Sequence, residues 1–243
     1  MPLILNLDTS TQICSVAIAS EGKLLGTRES HEDKSHSRQL SIFIQDLLTE
    51  HSINTSGLDA IAVSKGPGSY TGLRIGVSTA KGIAYGSNIP LIGIGTLEVL
   101  VSGALQNQEI NNILDKQRST LLCPMIDARR MEVYTALYDS SGNIIEEVTA
   151  RIIEETTYLE ILDNKKIIFF GNGADKCRSK INHSNAIFID DIETSAVNMV
   201  PLAEKLWEQN KFEDIAYFEP FYLKDFIATI PKNKIIPGKP PAT

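Results

Sequence analysis

The chain has 243 residues, 42% of them hydrophobic, enough for one large domain or two small ones that each bury a core. No run approaches the roughly 20 consecutive apolar residues of a membrane span, and MPLILNLDTS has no basic leader, so a cytoplasmic location without membrane contact is expected. The net charge of −7 opposes autonomous nucleic-acid binding, because neutralising phosphates needs a positive patch.

Residues 3–7 (LILNL) are nearly all apolar, the pattern of a strand buried on both faces. Beyond a polar connection from Asp8 to Gln12, strands are predicted over 13–19 and 23–29, with Glu21-Gly22 as the turn. In HSRQLSIFIQDLLTEH, Leu40, Phe43, Ile44, Leu47 and Leu48 share one face of an amphipathic helix, with Ser35 as its expected cap. A strand at 59–64 runs into GPGSYTG, which opens a helix over 71–85; a strand at 90–94 and a helix from Thr96 follow. The second half repeats the order, with strands at 121–126, 132–139 and 144–150, a helix around 154–162 and a strand at 166–170. Two like-folded lobes are expected, at 1–104 and 105–229. The segment 230–243 combines Pro231, Pro237, Pro240 and Pro241 with three lysines and is expected to be a mobile tail.

Cys14, Cys123 and Cys177 lie far apart with no CxxC pair, which argues for reduced core residues over disulfides or zinc. His31, His36, His51 and His183 form no HxxxH or HExxH pair, and no GxSxG elbow is present. Asp8-Thr9-Ser10, a strand ending in Asp before a tight turn, is placed where two-lobed ATPases and sugar kinases bind phosphate. The turn has no glycine, however, and neither has its second-lobe counterpart Asp127-Ala128-Arg129-Arg130, so both also read as ordinary turns whose aspartates satisfy backbone amides. GPGSYTGLRIG lacks the lysine of a phosphate-binding P-loop. Its two readings are an anion site at a helix N-terminus and a sharp turn at Gly66 and Gly68 with Ser69 or Thr71 as cap. Gly72, Gly76 and Ala80 recur at four-residue spacing, a groove that admits another helix.

Six blocks in order, ILNLDTST, His36-Ser37, GPGSYTGLRIG, GIGTLEVL, IDARRMEVY and EPFYLK, resemble the TsaB (YeaZ) family over residues 2–225, with Tyr70 where phenylalanine is commoner. The family motif residues so identified are Asp8, Thr9, Ser10, His36, Ser37, Gly66, Pro67, Gly68, Ser69, Tyr70, Thr71, Arg74, Asp127, Arg129 and Glu132. The resemblance implies an α/β actin/hexokinase-like (ASKHA) fold of two ribonuclease-H-like lobes, each a mixed sheet in βββαβα order. It implies a non-catalytic subunit that supports TsaD, together with the ATPase TsaE, in making threonylcarbamoyladenosine (t6A) in tRNA. It also implies self-association when TsaD is absent, and tRNA contact only through the complex. Where TsaD carries two metal-ligand histidines, this sequence reads Thr96-Leu97-Glu98-Val99-Leu100, so no metal or intrinsic cofactor is expected, and ATP only at a complex interface. The alternative is an ATP-binding transferase or kinase active on its own.

The helices at 36–50 and 71–85 are expected to form the partner surface, through Leu40, Phe43, Leu47, Gly72, Leu73, Gly76, Val77, Ala80 and Ala84. The competing reading is that both helices only cover their own sheet.

Overall fold

The computed structural model describes residues 2–32, 36–116 and 119–224; the expected cap Ser35 and the tail from Ile230 lie outside them. The first sheet comprises β1 (Leu3–Asp8), β2 (Cys14–Ser20), β3 (Lys23–Ser30), β4 (Ala60–Gly66) and β5 (Leu91–Gly95), with α1 (His36–Glu50) before β4 and α2 (Tyr70–Ser87) before β5. Next come α3 (Thr96–Ala104) and α4 (Gln108–Lys116). The second sheet comprises β6 (Leu121–Asp127), β7 (Glu132–Tyr138), β8 (Ile144–Ile152), β9 (Ile167–Phe170) and β10 (Ala186–Phe188), with α5 (Leu159–Leu162) before β9 and α6 (Ala196–Glu208) after β10.

The spatial orders are β3-β2-β1-β4-β5 and β8-β7-β6-β9-β10, the same arrangement built twice. In each, two antiparallel pairings lead to a central strand that continues in parallel with the next two. This is the α/β, actin/hexokinase-like architecture of two ribonuclease-H-like lobes.

β1 is apolar but for Asn6 and the terminal Asp8, and both its faces are covered. Leu5 and Leu7 point into a core with α1 and α2, while Ile4 points into a second core with α6. The helix layers do not follow chain order. From α3, Leu97, Leu100, Val101 and Ala104 pack on the second sheet, and Val99 joins the core on the first. From the far end of the chain, Ala196, Met199 and Ala203 of α6 pack on the first sheet. At Gly103 an added Cβ would lie 2.5 Å from Asn198 Nδ2, so the missing side chain on α3 makes room for the Asn198 side chain of α6. The two helices are the layer between the lobes.

One local expectation differs from the structure, and three elements lie beyond those predicted. The helix around 154–162 is reduced to α5, because Glu154 and Thr157 close a turn on each other and Tyr158 takes a left-handed φ of 66°. α4, β10 and α6 were not anticipated. All three cysteines are buried and free, and burial pushes the Cys14 and Cys177 thiols up to about 11.

Leu47 is fully buried between α1 and the first sheet. Leu47→Ala is expected to lower stability by about 2–5 kcal/mol, read as a shift of the urea midpoint with unchanged slope.

Candidate functional site

The glycine-rich block and the β1–β2 turn form one knot. Ser69 caps α2, its Oγ accepting from Gly72 N at 3.2 Å, while its own N–H donates to the Ser10 carbonyl at 2.7 Å. Thr9 Oγ1 donates to the Gly72 carbonyl at 2.7 Å. A Cβ on Gly68 would collide with Ser10 O, one on Gly72 with Thr9 O, and one on Gly76 with Thr9 Oγ1. The groove expected to admit a partner helix is therefore filled by the chain's own Thr9. Gly66, at φ 115°, lies under the Phe221 carbonyl, and Phe221 N donates back to Lys65 O at 2.7 Å. At the start of α1, the buried His36 donates from Nε2 to the Ile13 carbonyl at 3.2 Å, whereas Ser37 and Thr71 face outward.

The partner surface expected from sequence needs a correction. Leu40, Leu47, Gly72, Leu73, Gly76, Val77, Ala80 and Ala84 are all buried within their own lobe, and Phe43 is half-buried against the same core. Their stripe is apolar because it covers the sheet. The outward faces of α1 and α2 carry Ile42, 52% exposed, and Tyr85, 82% exposed. Tyr85 stands between Gly82 and Gly86, where a Cβ would meet nothing within 4 Å.

Asp8 ends β1 fully buried. Its Oδ1 accepts from Ser10 N at 2.8 Å and Ser10 Oγ at 2.7 Å, and its Oδ2 has no partner among the described residues. Beside it on β4, Ser64 Oγ lies 3.0 Å from Thr96 Oγ1 at the head of α3. The counterpart Asp127 is exposed. Its Oδ1 accepts from Arg129 N at 2.8 Å, its carboxylate pairs with Lys176, and its N–H donates to Asn172 Oδ1 at 3.0 Å. Glu132 pairs with Lys224, and Arg74 donates to the Tyr70 hydroxyl at 2.9 Å. Between the two turns lies a cavity of about 70 Å³, lined in part by Thr11, Gln12, Ile13, Leu100, Asn172 and Thr194. Small-molecule sites run to roughly 300–1,000 Å³. Among the described residues, no three His, Cys, Asp or Glu side chains gather as a metal site. Lys176, Asn172 and Thr194 were not singled out from sequence, because their partners lie about 45 residues or more away and no local period marks them.

Burial lifts the Asp8 carboxyl from 3.8 to about 6; Glu29 adds to the rise and the Ser10 hydrogen bonds oppose it. The folded chain therefore binds this proton more tightly than the unfolded chain. Stability from this group is present below about pH 4 and is lost as pH rises towards 6, a change on the order of 3 kcal/mol. Asp8→Asn, which keeps an acceptor for Ser10, is expected to raise the urea midpoint at pH 7.5 and to leave it nearly unchanged at pH 4.

The family model described as TsaD, tRNA N6-adenosine threonylcarbamoyltransferase, matches residues 24–232. A tRNA threonylcarbamoyladenosine biosynthesis protein TsaB from Escherichia coli K12 is 30% identical, over 97% of this chain and 99% of that protein. The protein of the same name from Bacillus subtilis 168 is 31% identical over 70% of each. Among solved structures, YeaZ from Pseudomonas aeruginosa superposes with a TM-score of 0.77 at 26% identity, covering 92% of this chain and all of that one. A second structure from P. aeruginosa, described as an uncharacterized protein with similarity to peptidase YEAZ, gives 0.79 at the same identity and coverage. With near-complete coverage, 30% identity and the same doubled fold, the chain belongs to the TsaB (YeaZ) family.

Proposed function

We propose that the chain is a non-catalytic subunit of the assembly that makes t6A in tRNA, dimerising with and supporting a catalytic TsaD together with the ATPase TsaE. The relatives' names give the pathway. What carries the non-catalytic role is the fate of Thr96 and Leu100, which stand where the resemblance places the metal histidines of TsaD. Both are buried: Thr96 is bonded to Ser64, and Leu100 packs in the core of the second lobe. Neither offers a ligand atom to the cleft. ATP is assigned to an interface of the complex and not to the 70 Å³ cavity.

The partner surface is the outward side of α1 and α2, where Ile42 and Tyr85 are exposed and Gly82 and Gly86 leave open space. A helix of TsaD fits there, and in its absence so does the same face of a second copy of this chain. Ala80→Glu is a poor probe because Ala80 is buried in its own core and the charge would unfold the lobe.

Two measurements check the reading. The chain alone, given threonylcarbamoyl-adenylate and tRNA, is expected to show no turnover, while adding it to TsaD and TsaE raises the rate; turnover without TsaD would refute the non-catalytic role. Ile42→Glu with Tyr85→Glu is expected to keep the circular dichroism melt and to weaken TsaD binding by about tenfold or more, roughly 1.4 kcal/mol or above. Unchanged binding would place the interface elsewhere.

A further inference from the structure

The β6–β7 turn, the segment that follows α6 and the start of α2 meet in one surface that the reading above leaves without a role. Arg129 and Arg130 are exposed at that turn with φ of 72° and 51°, the one consecutive positive-φ pair without a glycine among the described residues. Neither guanidinium has an ion-pair partner among those residues. Their backbone is held from behind: the Lys176 ammonium binds the Asp127 carboxylate and donates to the Arg130 and Glu132 carbonyls, each at 2.7 Å. Lys176 thus offsets Asp127, and the charge of the two arginines is left free.

The surface continues through Glu132 to Lys224, which pairs with it and lies 5.8 Å from the centre of the Tyr134 ring. Two residues earlier, Tyr222 meets Tyr70 with ring centres 5.1 Å apart, and the Arg74 guanidinium stands 5.3 Å over Tyr70. Five cations, Arg74, Arg129, Arg130, Lys176 and Lys224, therefore share this region with the carboxylates of Asp127, Glu132 and the nearby Glu219. The net charge of −7 averages over a whole surface that this region does not resemble.

Cations interleaved with aromatic rings are the arrangement that tracks a nucleic-acid strand, because the rings stack with bases whatever their identity and the cations neutralise phosphates. We infer that this surface holds a single-stranded segment of RNA, with phosphates on Arg129 and Arg130 and a base against the exposed Tyr222. The inference rests on the reading of the chain as part of a tRNA-modifying assembly, which supplies the RNA.

The test is fluorescence anisotropy with an unmodified tRNA transcript, titrated with the full chain alone and mixed with TsaD, from about 50 to 200 mM salt. The double variant Arg129→Gln, Arg130→Gln is expected to bind about tenfold more weakly, with a slope of log K against log salt shallower by about 1–2. Arg129→Lys with Arg130→Lys is expected to keep the slope, and Tyr222→Leu to lose about tenfold in affinity with the slope unchanged. Unchanged affinity and slope in the Gln variant, or no tRNA binding by the wild-type chain in either mixture, overturns the inference. Loss of TsaD binding in the Gln variant with tRNA binding intact also overturns it and assigns the surface to a protein. If the wild-type chain binds tRNA with the expected slope but does not associate with TsaD, the subunit reading falls and this inference stands.

Discussion

Thr9 and Ser10 can lie beneath α2 only because Gly68, Gly72 and Gly76 carry no Cβ. Glycines inside a helix cost roughly 1 kcal/mol each relative to alanine. The hydrogen bonds that their absence of side chain permits, from Thr9 Oγ1 to Gly72 O and from Ser69 N to Ser10 O, return about 0.5–1.5 kcal/mol each. The same contact fixes where β1 ends, and so buries Asp8.

The second lobe solves the same problem with charge. Its turn is met from behind by the short 3-10 helix Asp175–Cys177, whose Lys176 gathers a carboxylate and two carbonyls beneath Arg129 and Arg130, both in the left-handed region. One turn is buried beneath a helix and holds a carboxylate, the other is exposed and cationic. The two lobes share a strand order and differ in what that order presents to the cleft.

Much of the fold could be read from sequence because its signals are local. The apolar run of β1, the heptad-like face of α1 and the glycine-rich loop before α2 each depend on neighbouring residues, and all appear in place. α6 also has a local signal, with Ala196, Met199, Val200 and Ala203 at helical spacing after the cap Ser195, but Pro201 within the helix masks it. β10 is three residues long, too short for any period. At the candidate site the stripe of α2 is apolar in the sequence as in the structure, yet periodicity cannot say whether an apolar face meets its own sheet or another molecule. That distinction depends on Thr9 and on the first sheet, which meet α2 only after folding. The burial of Asp8 depends likewise on a lobe closed on both faces.

The position of α6 has a consequence for synthesis. Ile4, Ala17, Ala62, Ile92 and Ile94 belong to a core that α6 completes, and about 100 residues separate the end of β5 from the start of that helix. At a translation rate of about 5–20 residues per second, this face waits roughly 5–20 s on the ribosome for its cover. A nascent chain stopped after the second sheet would have every strand of both lobes and still expose one apolar side of the first, a surface suited to chaperone capture until the last helix emerges.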